Sequence, residues 1–182
     1  SVAVVFNGEM YNFLELKEIL QKKGYVFHTT CDTEVLVYGY QEWGTTLAER
    51  LRGMFAFVIY DAKNNQVYGA RDYFGIKPFY YSVMEGGNLI FGSEIKSFLE
   101  HPAWKKEVNP NALRPYLTFQ YSAMEETFFK GTYKLQPAHQ FVFKDGEMHI
   151  EQYWDVDFSK KTTRSLDQVA EDIAARVEET VN

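Results

Sequence analysis

The sequence has one cysteine, five prolines and no surplus of positive charge. Each shortage excludes something. A single thiol, Cys31, cannot close an internal disulfide, and with four scattered histidines it cannot complete a Cys/His zinc site of ordinary spacing. Acids number 25 against 19 Lys and Arg, a net charge of -6. That is the wrong sign for a chain that binds nucleic acid by neutralising phosphates. The longest unbroken apolar run, Met54 to Tyr60, has seven residues, whereas a helix needs about 20 to span a bilayer. No charged start followed by an apolar stretch marks a secretory leader. Glycine and proline are too few for a disordered or linker-dominated chain. The expectation is an intracellular, cytoplasmic protein with no nucleic-acid or membrane partner and no bound metal.

Aromatics are plentiful, with 13 Tyr, 15 Phe and 3 Trp making 17% of the chain. Such side chains suit a pleated, half-buried surface and predict much sheet. A length of 182 residues suits one well-cored domain and is short for two. Val2 to Phe6 reads as a buried strand ended by an Asn7-Gly8 turn. Asn12 with Glu15 has the capping-box pattern, opening a helix with Phe13, Leu16, Ile19 and Leu20 on one face and Gly24 as its stop. Tyr25 to Thr29 reads as a short strand. Asp32 can cap a helix from Thr33 to Trp43, and a shorter helix is expected from Thr46 to Leu51. Strands follow at Met54 to Tyr60, Gln66 to Arg71, Ile76 to Val83 and Leu89 to Gly92, then a short helix capped by Ser93. Asn109 to Tyr121 starts as a helix and meets Pro115. Lys144-Asp145-Gly146-Glu147 joins two strands as a hairpin. From Asp155 to Arg164 the chain is polar and reads as a linker. Ser165 and Gln168 make a second capping box. Leu166, Val169, Ala170, Ile173, Ala174 and Val177 then form an amphipathic stripe. The fold class is α+β, with much antiparallel sheet.

Few residues suggest chemistry by themselves. Asn7-Gly8-Glu9 can aim a side-chain amide and a backbone N–H at one point, which suits an oxyanion, but taken alone a plain strand-ending turn is the much commoner reading. Asp32 can be a helix cap or a carboxylate for a substrate ammonium. Cys31 has no histidine placed by local sequence to activate it and reads as a structural thiol. Ser1 lies about 20 Å of extended strand from Asn7, too far to share a reacting carbon with it. Arg71 to Pro78 reads as a tight connection, with Gly75 at positive φ and Lys77 as a turn residue.

Together and in order, these segments carry a resemblance. They are Phe6-Asn7-Gly8-Glu9-Met10-Tyr11-Asn12, Cys31-Asp32-Thr33-Glu34-Val35, Gly53-Met54-Phe55-Ala56-Phe57, Ala70-Arg71-Asp72 with Phe74-Gly75-Ile76-Lys77-Pro78, Gly92-Ser93-Glu94-Ile95-Lys96, and Tyr153-Trp154. The chain resembles the glutaminase domain of glutamine-hydrolysing asparagine synthetases. That domain is a class II glutamine amidotransferase with the N-terminal nucleophile (Ntn) hydrolase fold.

The resemblance implies a sandwich of two mainly antiparallel sheets flanked by helices. In that family an N-terminal cysteine attacks the glutamine side-chain amide, with its α-amine as base, and the ammonia released reaches a second domain. There ATP and Mg²⁺ activate aspartate. Carried onto this chain, Asn7 and Gly8 are the oxyanion donors, and Glu9 and Asp32 hold the glutamine backbone, with Asp32 on its ammonium. Cys31 stands where the family usually has serine, so the nucleophile is expected upstream of Ser1. Residues 1–154 are then a partial glutaminase domain lacking its first strands, 155–164 a linker, and 165–182 the first helix of the synthetase domain. Glutamine and the chain's own synthetase domain are the expected partners, with aspartate in the full-length enzyme. This stretch is expected to hold no cofactor, to be inactive alone, and to self-associate through its open sheet edge. Two rival readings stand beside this one: another class II amidotransferase, and a relative that never had the nucleophile.

Overall fold

The computed structural model describes residues 1–121 and 124–181. In chain order, strand β1 (Val2–Met10) leads to helices α1 (Phe13–Lys22) and α2 (Thr33–Trp43). Two 3-10 turns, Gly44–Thr46 and Ala48–Arg50, lead into β2 (Gly53–Asp61), β3 (Gln66–Arg71), β4 (Tyr80–Met84) and β5 (Asn88–Gly92). A 3-10 turn at Ile95–Phe98 and helix α3 (Pro110–Phe119) precede β6 (Tyr133–Lys134), β7 (His139–Lys144), β8 (Glu147–Gln152) and α4 (Leu166–Val181).

Strand alternation divides the molecule into layers. Along β2, Phe55, Phe57 and Ile59 point to one face, and Ala56 and Val58 to the other. The first set packs with Met10, Leu16, Leu20, Val35, Leu36 and Tyr68 beneath α1 and α2. The second packs with Phe79, Tyr81, Leu135 and Phe141 against a second sheet. The larger sheet has the order β1-β2-β3-β7-β8 and the smaller one β5-β4-β6, with every pairing antiparallel. This is the expected α+β arrangement of two antiparallel sheets flanked by helices. β1 is an edge strand that pairs with β2 alone among the described strands.

One buried pair fixes how the two sheets meet. The Arg71 guanidinium donates to three carbonyls, those of Lys77 (2.7 Å), Leu135 (2.6 Å) and Gly75 (2.7 Å). The Asp72 carboxylate, 1% exposed, accepts from the backbone N–H groups of Phe55, Phe74, Ile76 and Lys77. Gly75 has φ +65°, as the tight connection requires, and an added Cβ would lie 2.8 Å from Pro137. Lys77 serves here through its backbone. Tyr153 closes the arrangement by donating its hydroxyl to the Arg71 carbonyl (2.7 Å), while Trp154 packs edge-on to Tyr73 and Phe74.

Several local expectations are corrected. Asn7-Gly8 is no turn, since β1 runs through it to Met10. Asn12 stands at the head of α1 without a side-chain cap. Its amide instead bridges the Arg50 carbonyl and the Arg52 N–H. Ile19 faces solvent. Tyr25 to Thr29 forms no strand, Thr46 to Leu51 is 3-10 turn rather than helix, and the strand expected from Ile76 begins only at Tyr80. There the amides of Ile76 and Lys77 are already taken by Asp72. α3 continues through Pro115 to Phe119. At α4 the capping box is reciprocal: Ser165 N–H donates to Gln168 and Gln168 N–H to Ser165, with an Arg164–Asp172 ion pair beside it. Among the described residues no side chain of α4 is buried, and Leu166, Ile173, Val177 and Val181 are exposed.

The Asp72 hub makes a stability prediction. A buried donor left unpaired costs about 1–3 kcal/mol. Asp72→Ala is therefore expected to lower unfolding free energy by at least about 3 kcal/mol, Asp72→Asn by less, and Lys77→Ala hardly at all. Denaturant unfolding checks this, and a loss below about 1 kcal/mol for Asp72→Ala would refute the hub.

Candidate functional site

The register of β1 decides which of its donors are free. Ala62 N–H donates to the Ser1 carbonyl and Tyr11 N–H to the Arg52 carbonyl. Both bonds continue the unbroken β1–β2 register, and both fall on odd-numbered residues of this strand. Bonded and non-bonded pairs alternate in an antiparallel ladder. The odd residues therefore bond β2, and the N–H groups of the even residues, Gly8 and Met10 among them, point off the open edge.

Asp32 meets one of these donors. It stands at the N-terminal end of α2 but makes no side-chain cap there. Its Oδ2 accepts from the Met10 N–H at 3.1 Å. Gly8 is two residues back along the same edge. It must be glycine: an added Cβ would lie 2.2 Å from the Met54 carbonyl oxygen across the ladder. Asn7 and Glu9 alternate to the other face, toward the second sheet. The Asn7 amide donates through Nδ2 to the Ser93 hydroxyl at 2.9 Å, and Glu9 is exposed. The four expected site residues are thus one strand segment and the carboxylate bonded to it. The Gly8 N–H and the Asp32 carboxylate lie along an open sheet edge, with Asn7 and Glu9 on the face toward the second sheet.

The loop before Asp32 is held by Glu34. Its carboxylate accepts from the Thr29 hydroxyl (2.6 Å), the His28 N–H (2.9 Å) and the Thr29 N–H (2.8 Å). These bonds, the Thr29 hydroxyl first, hold its pKa down to about 2 from the ordinary 4.5. Cys31 is exposed rather than a packed structural thiol. Its sulfur lies 3.2 Å from the Thr33 hydroxyl and 3.6 Å from Asp32 Oδ1. Among the described residues no cluster of three or more His, Cys, Asp or Glu is placed to hold a metal ion, and no helix is long and apolar enough to cross a membrane.

A family model described as a glutamine amidotransferase domain matches residues 1–154. The chain belongs to the glutamine amidotransferase domain family. Among curated relatives, it is 39% identical over 168 residues to a glutamine-hydrolysing asparagine synthetase of Bacillus subtilis, numbered 3. That match covers 92% of this chain and 27% of the relative. A second B. subtilis synthetase, numbered 1, is 37% identical over 180 residues, covering 98% of this chain and 28% of the relative. The chain thus spans little more than a quarter of the length of these relatives. The B. subtilis glutamine phosphoribosylpyrophosphate amidotransferase has a similar fold, with TM-score 0.58 at 21% identity, covering 84% of this chain and 29% of that one. The chain thus shares its two-sheet architecture with a protein of little sequence similarity.

Sequence reasoning passed over Glu34 and Ser93 as individual residues. Both lie inside the motifs above, where Ser93 reads as a helix cap. The 3-10 turn after it starts instead from Glu94, with no side-chain cap. The signal available for both was a polar residue at a fixed place beside a motif, without a partner visible in sequence.

Glu34 gives a pH prediction. A lowered folded pKa stabilises fully above the unfolded value, and that contribution is lost as pH falls toward the folded one. The hold on the 28–31 loop should therefore persist at pH 4.5 and disappear as pH falls to about 2. Carboxyl chemical shifts followed by NMR should place the Glu34 midpoint near 2; a midpoint near 4.5 would refute the clamp.

Proposed function

We propose that this chain is the glutamine-binding and oxyanion part of a glutaminase domain whose parent is a glutamine-hydrolysing asparagine synthetase. The observation that carries this is the bond from Met10 N–H to Asp32, two residues from the outward Gly8 N–H and beside the Asn7 amide. Two residues of strand span about 7 Å. This is comparable with the reach from a side-chain carbonyl to the α-nitrogen in an amino acid of glutamine's length.

In this reading a glutamine lies along the open edge. Gly8 N–H and the Asn7 amide donate to the carbonyl oxygen as it becomes an oxyanion. Such donors accelerate because they bind the charge that develops, not the ground-state amide. Asp32 accepts from the ammonium, and Glu9 adds negative charge at the same end. The attacking cysteine and its α-amine base come from sequence upstream of Ser1. Attack on the amide carbon gives a thioester and ammonia, and water releases glutamate. The ammonia then serves a synthetase domain, where ATP and Mg²⁺ activate aspartate. The linker at 155–164 and α4, with its exposed stripe, lead toward that domain. In this reading residues 1–182 alone do not turn over glutamine, because the attacking cysteine and its α-amine are not among them. A cytoplasmic location belongs to this reading.

The test uses the full natural open reading frame. Asn7→Ala should lower kcat for glutamine hydrolysis about 10²–10³-fold with KM little changed. Asp32→Asn should act mainly on KM. A wild-type protein without glutaminase activity, or Cys31-dependent turnover by residues 1–182, would overturn the reading.

A further inference from the structure

We propose that Ser93 is a positioning residue that sets which end of the Asn7 amide faces the substrate. This rests on Asn7 being an oxyanion donor, as above. An asparagine amide rotates broadly about its last torsion and can present either its oxygen or its nitrogen. Only the nitrogen end helps an oxyanion; the oxygen end repels it. A bond to Nδ2 therefore decides whether Asn7 assists or opposes the reaction.

Asn7 projects from the edge strand β1 toward the second sheet. It lines a crevice of about 130 Å³ with Val5, Phe79, Phe91 and Ser93. The crevice walls are mainly apolar, so a polar partner there has a large effect on orientation. The Ser93 hydroxyl supplies it, accepting from Asn7 Nδ2 at 2.9 Å. One amide hydrogen is thereby held, and the other remains for the substrate.

The backbone on either side of Ser93 is held. Gly92, just before it, pairs with Tyr80 at the end of β5. An added Cβ at Gly92 would lie 2.7 Å from the Ser97 hydroxyl. That hydroxyl donates to the Glu94 carbonyl at 2.7 Å, and the Ser97 N–H donates to it at 3.1 Å. Phe98, 2% exposed, roots the turn in the interior. The bond therefore links a donor on one sheet to a hydroxyl just beyond the end of the other.

In the full-length protein, Ser93→Val should lower kcat for glutamine hydrolysis about 10-fold or more, with KM within about 2-fold. Ser93→Thr, of the same volume but with a hydroxyl, should restore most of the rate. In an Asn7→Ala background Ser93→Val should cost little further, since residues acting through one another are non-additive. Equal losses for Val and Thr, a loss confined to KM, or full additivity with Asn7→Ala would overturn the assignment. Loss at Asn7→Ala with none at Ser93→Val overturns it alone. No loss at Asn7→Ala overturns the underlying reading as well.

Discussion

The structure depends on the way Arg71 and Asp72 use up backbone groups that have no strand partner. The connection from β3 to β4 crosses from one sheet to the other, and its carbonyls and amides are partly buried. Arg71 gathers two of its carbonyls, with Leu135 before β7 as a third, and Asp72 three of its amides, with Phe55 of β2 as a fourth. Burial pushes the Arg71 pKa down, yet from a value so high that its charge persists. An aliphatic side chain at either place would leave several polar groups buried and unpaired. The spacing of the two sheets, and so of Asn7 and Ser93, follows from this pair.

Regular elements were legible where apolar periodicity was clean. α2 was placed with its observed bounds, β3 likewise, and the β7–β8 hairpin nearly so. Four of the misses share one cause. Asn12 spends its amide on Arg50 and Arg52, Asp32 its carboxylate on Met10, Glu34 on His28 and Thr29, and Asp72 on Ile76 and Lys77. In each case a polar side chain binds backbone at a distance rather than capping its own helix, or removes amides from a strand. Such competition is invisible to propensity, which counts neighbours in sequence. Asn7-Gly8 failed as a turn for a different reason. The glycine is there for a close approach across the ladder, not for a bend.

The geometry of the candidate site was legible in part. Asn7, Gly8 and Glu9 were named from the resemblance, and the strand joins them by simple continuity. Asp32 was separated from them by a helix and a loop, and its bond to Met10 needed coordinates. Even then the decisive fact is parity. A register shift of one residue on β1 would turn the Gly8 N–H into the ladder and swap the faces of Asn7 and Phe6. The hindered glycine contacts at Gly8 and Gly53, each blocked by a carbonyl of the opposite strand, make such a slip costly.

The hydroxyl of Tyr153 on the Arg71 carbonyl has a mechanical meaning. Tyr153 and Trp154 are the last packed residues before the polar stretch that leads to α4. A pull on that stretch is therefore delivered first to the strand end that carries Arg71 and Asp72. From there it passes through Phe55 to β2, and through the ladder to β1. The end of the packed domain is thus fastened at a point that hydrogen bonds connect to the open edge.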